Sequence, residues 1–264
     1  MRIGFIGAGK MAETILAALL EQRQKPENIR AGEVRAARRR QLTRRYGIRV
    51  TARNRVVVDH AQVLFLCVKP QELAAALAPI ADGITGRHLV LSIAAGKTLS
   101  TLEQLLPRAR VIRVMPNLAA SVGAGMSAYC AGSRARPADR RKAAGLLAAF
   151  GRAIELPESA FDAVTALSGS GPAFFAYALD ALVGGAVKQG LRREDALALA
   201  EQTMLGTARV LQEQGVAPAD LIASVASPKG TTAEGLAVLD GSDVKDVLEQ
   251  VIAAAARRSR ELRE

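Results

Sequence analysis

Tryptophan is absent, and aromatic residues of every kind make up only 3% of the 264 residues, so the chain has no stacking platform for single-stranded nucleic acid. Cysteine is nearly as scarce. Cys67 and Cys130 both lie inside apolar stretches, where a small buried thiol is the ordinary role, and neither has metal-ligand spacing to another Cys or His. His60 and His88 flank predicted strands without Ser and Asp partners in a hydrolytic arrangement. All four residues are read as structural, and no metal is expected. Long apolar runs are missing as well. Val63–Val68 and Ala253–Ala256 fall well below the ~20 residues of a membrane span, and Ile3-Gly4-Phe5-Ile6 reads as a first core strand rather than a cleavable leader. The expectation is a cytoplasmic protein with no membrane partner.

Hydrophobic residues supply 50% of the chain, enough for one large core or two smaller ones. The formal charge of +11 comes mostly from arginine, in Arg38-Arg39-Arg40, Arg44-Arg45, Arg140-Arg141 and Arg257-Arg258. With no interleaved aromatics these read as solvated helix faces, and nucleic acid is not an expected partner.

Along the first half, short β-type runs alternate with helical patterns, which predicts a parallel sheet with helices on both faces. The predicted strands are Arg2–Gly7, Ile29–Ala31, Ile48–Thr51, Val63–Val68, His88–Ser92, Arg110–Val114, Gly125–Cys130 and Ala153–Leu156. Helices are predicted at Glu13–Gln22 and Val34–Arg45. After about Pro157 the strand signals stop, and helices are predicted over Ala173–Gln189, Glu194–Glu213, Pro218–Ala226, Thr232–Leu239 and Val244–Leu262. Ala173–Ala186 is apolar around most of its circumference and must be covered on all sides. A second subunit completing the helical core is therefore expected, giving a homodimer.

The N-terminal segment Gly7-Ala8-Gly9-Lys10-Met11-Ala12 follows a buried strand and opens an Ala/Leu-rich helix. This is the G-x-G-x-x-G/A dinucleotide fingerprint in its strand-to-helix setting. Gly7 allows the tight turn, Gly9 lets a pyrophosphate approach the backbone, and Ala12 lets the helix pack on the strand. The fold class is then α/β: a Rossmann-like parallel-sheet domain over residues 1–157, followed by an all-helical dimerisation and substrate domain over 158–264. Gly7, Ala8, Gly9, Lys10 and Met11 are the expected cofactor contacts. NADH and NADPH both remain open. Glu33 suits a free ribose hydroxyl but also reads as a helix N-terminal carboxylate, while Arg35 and the Arg38–Arg40 cluster suit a 2′-phosphate. Asn54, Val68, Lys69 and Ala95 follow strands where an open α/β sheet holds its ligand, and Asn117 is a candidate of the same kind.

Six motifs in order carry a family resemblance: Gly7-Ala8-Gly9-Lys10-Met11-Ala12, Val68-Lys69-Pro70, Ser92-Ile93-Ala94-Ala95-Gly96, Met115-Pro116-Asn117, Ser168-Gly169-Ser170-Gly171-Pro172-Ala173 and Ser227-Pro228-Lys229-Gly230-Thr231-Thr232. Over nearly its full length the chain resembles pyrroline-5-carboxylate reductase. The resemblance implies reduction of the cyclic imine Δ1-pyrroline-5-carboxylate to proline by NADPH or NADH, in interlocked dimers that sometimes assemble into decamers. It also implies a substrate loop in which Gly230, Thr231 and Thr232 bind the carboxylate and the Thr232 hydroxyl bonds the ring nitrogen. A bare Thr-Thr-x-Glu pattern reads equally as a helix cap. Glu158 matches a substrate-contacting position, with a solvated carboxylate as its alternative. Two departures stand out. Leu118-Ala119 replaces Thr-Pro, and Lys229 replaces a glycine, so a related cyclic imine acid is an alternative substrate. A β-hydroxyacid dehydrogenase is the enzymatic rival, but its catalytic lysine is missing, since none follows Gly171 until Lys188. A nucleotide-sensing regulator that binds DNA or RNA is the non-enzymatic alternative.

Overall fold

The computed structural model describes residues 1–262 and divides them into two compact units. One comprises Met1–Ser170 with the C-terminal segment from Ala255; the other is Gly171–Ala254.

In the first unit, β1 (Ile3–Ile6) leads into α1 (Lys10–Glu21), then β2 (Ile29–Gly32), α2 (Ala36–Tyr46), β3 (Arg49–Thr51), α3 (Asn54–His60) and β4 (Val63–Leu66). The chain continues through α4 (Leu73–Leu77), β5 (Leu89–Ser92), α5 (Leu99–Leu105), β6 (Arg110–Met115), β7 (Gly125–Ala131), α6 (Pro137–Leu147) and β8 (Gly151–Glu155). Every residue of β1, β4 and β5 is buried, as expected of strands covered on both faces. The sheet order is β3-β2-β1-β4-β5-β6-β7-β8. The expected parallel arrangement holds except at one joint, where β7 runs antiparallel to β6 while β8 is parallel to β7. The link 116–124 explains the reversal, because it is shorter than the dozen or so residues that a crossover back to a parallel strand requires.

One face of the sheet packs Phe5 and Phe65, stacked at 5.1 Å, against Ile15, Leu16 and Leu19 of α1. The opposite face packs Leu64, Leu66 and Val90 against Val57, Leu73, Leu77 and Leu102. Each such side chain contributes about 1.5–3 kcal/mol through burial. At the far edge Gly151 has φ +142°, and a Cβ there would overlap the carbonyl oxygen of Gly125, so only glycine lets β7 and β8 pair at that point. After β8 come α7 (Phe161–Val164) and a π-helical turn at Thr165–Gly169. The Ser259 hydroxyl donates to Asp162 Oδ1 at 2.9 Å and ties the C-terminal segment to α7.

The second unit is helical: α8 (Gly171–Lys188), α9 (Arg193–Gln214), α10 (Pro218–Val225), α11 (Thr231–Asp240) and the first part of α12 (Val244–Glu261). Few of its residues are buried, Val183 and Ala196 among them, while Phe175, Tyr177, Leu182 and Val238 are exposed. By length and composition, the helical stretch Glu158–Lys188 could cross a membrane, although it contains no long uninterrupted apolar run. Averaging over a helix finds what counting runs overlooks. Phe161, Asp162 and Ala166 of that stretch are nevertheless buried.

Candidate active site

The carboxyl ends of β1, β2 and β4 meet at the glycine turn. Gly7 has φ +88°, its N–H donates to the Gly32 carbonyl at 3.1 Å, and a Cβ on it would lie 2.8 Å from Val68 Cγ1 and 2.9 Å from the Val68 nitrogen. Val68 therefore acts as a backstop that fixes the turn. Gly9 is different. A Cβ built there meets nothing within 4 Å, and Gly9 is the N-cap of α1 with no side-chain cap hydrogen bond. The first-turn N–H groups of α1 have no intrahelical acceptor, and the positive helix end lies beside the open space. An uncapped N-terminus next to a vacancy of backbone size fits a pyrophosphate.

Glu33 follows β2 and is 7% exposed. Its carboxylate accepts from the Arg35 N–H at 2.9 Å, Arg35 Nε at 3.0 Å and Arg35 Nη2 at 3.2 Å. Burial opposes ionisation of Glu33, but the hydrogen bonds from Arg35 outweigh it and hold the carboxyl below the usual range. The acidic and the basic candidate thus grip each other. Asn54 stands at the start of α3 with its Oδ1 directly over Gly32, where any Cβ would overlap it. Lys69 and Ala95 are exposed after β4 and β5. This places Gly7–Met11, Glu33, Arg35, Asn54, Val68, Lys69 and Ala95 along one end of the sheet. Asn117 has both amide atoms engaged: Oδ1 accepts from the Met126 N–H at 3.1 Å, and Nδ2 donates to Ser168 Oγ at 3.3 Å.

Glu158 is not a loose, solvated carboxylate. Its Oε1 accepts from the Leu99 N–H at 2.6 Å and from Arg113 Nη1 at 2.8 Å, and the Arg113 guanidinium lies 4.5 Å from the Phe161 ring centroid. Arg113 is buried in β6 and gave no signal in the sequence, where it reads as one more arginine in a strand. His88 accepts from the Thr85 N–H at Nδ1 and contacts the Val58 carbonyl through Nε2, and burial lowers its pKa. Burial pushes the Cys130 thiol up to about 12 and raises Cys67 as well, leaving neither reactive.

In the helical unit, Gly230 is the N-cap of α11 and makes no side-chain cap hydrogen bond, so neither Thr231 nor Thr232 acts as the cap. A Cβ on Gly230 would overlap Ser227 Oγ, and the Gly230 N–H closes the turn onto the Ser227 carbonyl at 3.0 Å. Lys229 takes φ +58°, a left-handed conformation that glycine adopts without strain. Thr232 is half-buried and lines an apolar hollow of about 400 Å³ with Leu221, Ile222, Val225 and Leu236. Among the described residues, no cluster of His, Cys, Asp and Glu could hold a metal ion.

Comparison with known proteins agrees with these features. Residues 158–262 match the model described as pyrroline-5-carboxylate reductase dimerisation, and residues 2–96 match that of NADP oxidoreductase, coenzyme F420-dependent. The chain is 43% identical to the pyrroline-5-carboxylate reductase of Methanosarcina acetivorans, covering 99% of this chain and 97% of that one. A Coxiella burnetii pyrroline-5-carboxylate reductase structure superposes with a TM-score of 0.95 at 31% identity, covering 100% of this chain and 98% of the other. The Plasmodium falciparum pyrroline carboxylate reductase, solved with NADP bound, gives 0.86 at 25% identity over 100% and 98%. The chain belongs to the pyrroline-5-carboxylate reductase family.

Proposed function

We propose that this protein reduces Δ1-pyrroline-5-carboxylate to L-proline, the last step of proline biosynthesis, with hydride from NADPH or NADH. The observation that carries this reading is the open, uncapped turn at Gly9, which presents backbone N–H groups and empty space where a dinucleotide pyrophosphate would approach. The nicotinamide supplies the hydride that converts the C=N carbon to C–H. The protein's contribution is positioning and electrostatics, worth up to about 7–11 kcal/mol when the geometry is close to attack.

Gly7, Ala8, Gly9, Lys10 and Met11 line the pyrophosphate, with Glu33 or Arg35 at the ribose and Asn54, Val68, Lys69, Ala95 and Asn117 as further contacts. The first-turn N–H groups at Gly230, Thr231 and Thr232 receive the substrate carboxylate, helped by the positive end of α11. The Thr232 hydroxyl hydrogen-bonds the ring nitrogen, where the new N–H forms. Its freedom from capping supports that assignment. Glu158 contributes through the loop that it anchors to Arg113 and Leu99. The working form is a cytoplasmic homodimer that can stack into a decamer, with domains at 1–157 and 158–264 and no nucleic-acid or membrane partner.

Loss of absorbance from NADH and NADPH, followed separately with pyrroline-5-carboxylate and with its six-membered homologue, tests the reading. Turnover with the five-membered ring is expected. Preference for the larger ring assigns the enzyme to a related imine acid, the alternative that Lys229 and Leu118 leave open. Thr232→Ala is expected to lower kcat/KM by about 2 kcal/mol, roughly 30-fold, without unfolding the protein. An unchanged kcat/KM removes Thr232 from the mechanism.

A further inference from the structure

Charge alone makes Arg38 a receiver for a 2′-phosphate, but its guanidinium is already committed elsewhere. Nε donates to the Ala8 carbonyl at 3.1 Å, Nη2 to Glu13 Oε2 at 2.6 Å and Nη1 to Gln41 Oε1 at 2.9 Å, and the side chain is only 14% exposed. Ala8 lies between the two glycines of the turn, and Glu13 lies in the first turns of α1. One guanidinium therefore ties α2 to both parts of the anion cradle. Glu13 is held from its other oxygen by the Tyr46 hydroxyl at 2.9 Å and by Arg45 Nη1 at 3.1 Å. Burial opposes ionisation of Glu13, and the hydrogen bonds from Arg38 and Tyr46 outweigh it, so the carboxylate stays charged. Arg39 is also engaged, donating through Nη1 to the carbonyls of Glu33 and Val34. Arg35 differs from both. It is 65% exposed, and Glu33 is its partner.

Resting on the reductase reading above, we propose that Arg38 is a positioning residue for the dinucleotide turn. It sets affinity for the pyrophosphate that NADH and NADPH share, and discrimination between them rests with the Glu33–Arg35 pair. Two glycines flanking Ala8 leave the peptide free to sample many conformations. A charge-assisted hydrogen bond to the carbonyl between them removes most of that freedom before the ligand arrives, which strengthens binding without touching the ligand. The Glu33–Arg35 pair must open for either cofactor: Glu33 turns to a ribose hydroxyl, or Arg35 turns to a phosphate.

The test is the dissociation constant of each dinucleotide for the full-length enzyme, read from nicotinamide fluorescence, together with kcat at saturating cofactor. Arg38→Met is expected to raise both constants by the same factor, about tenfold, or ~1.4 kcal/mol, with kcat changed less than about twofold. Arg38→Lys regains part of the loss for both, whereas Arg35→Met weakens NADPH alone. A loss in Arg38→Met confined to NADPH makes Arg38 a phosphate ligand and overturns the proposal, as do unchanged constants. If Arg38→Met fails to fold in urea titration, Glu13→Gln decides: an equal rise for both dinucleotides supports the proposal, and no rise overturns it. A wild-type enzyme that binds neither dinucleotide overturns the reductase reading itself.

Discussion

In the sheet unit Phe5, Phe65 and Ile15 are fully covered by their own chain, whereas in the helical unit Phe175, Leu182 and Tyr177 are 61%, 71% and 82% exposed. The two units draw on the same kinds of apolar residue and differ in what covers them. An exposed apolar surface of this extent marks an interface, and the matching dimerisation model names its kind. Stability of the sheet unit is therefore an intramolecular property. Stability of the helical unit depends on partner concentration.

The comparison breaks most sharply at Gly151. Gly151→Ala forces β7 from β8 and is expected to cost about 3 kcal/mol at any protein concentration, read as a fall in the urea midpoint. Leu182→Asp probes the other side. It disturbs little within one chain but places a carboxylate in the apolar interface, so sedimentation should show dimer dissociation strengthened by about 2 kcal/mol while the glycine turn still binds dinucleotide. An equally tight dimer in that variant would move the interface elsewhere. The smallest effect is stabilising: Lys229→Gly relieves a left-handed lysine and should raise stability by ~1 kcal/mol, seen as a higher melting temperature.

All eight strands were legible as short β-type runs set between helical patterns and turn residues, and the long helices because their patterns span several turns. The helices α3, α4, α5, α6 and α7 were not. All but α6 are seven residues or fewer, too short for a 3.6-residue period to emerge, and α6 is broken up by charge. The reversal at β7 depends on loop length rather than strand composition. In the site, the glycine turn was legible because its residues are consecutive. The Arg113–Glu158 pair and the reach of Arg38 to Ala8 were not, because a side chain's partner 30 or more positions away leaves no local pattern. Glu33 and Arg35, only two positions apart, read as separate candidates because sequence proximity does not show which side chains hold each other. The positive φ of Lys229 gave a structural cost to a departure that the sequence presented only as an added charge.

The uncovered flank of α8 also bears on how this enzyme is made. The segment from Ala255 belongs to the sheet unit, so a newly synthesised chain completes that unit only when its last helix is made, and the helices between keep apolar faces exposed until something covers them. With the homodimer proposed above, maturation is bimolecular: dilution is expected to slow it, a co-expressed truncated copy to intercept it, and the interval before pairing is when chaperones and proteases compete for the chain.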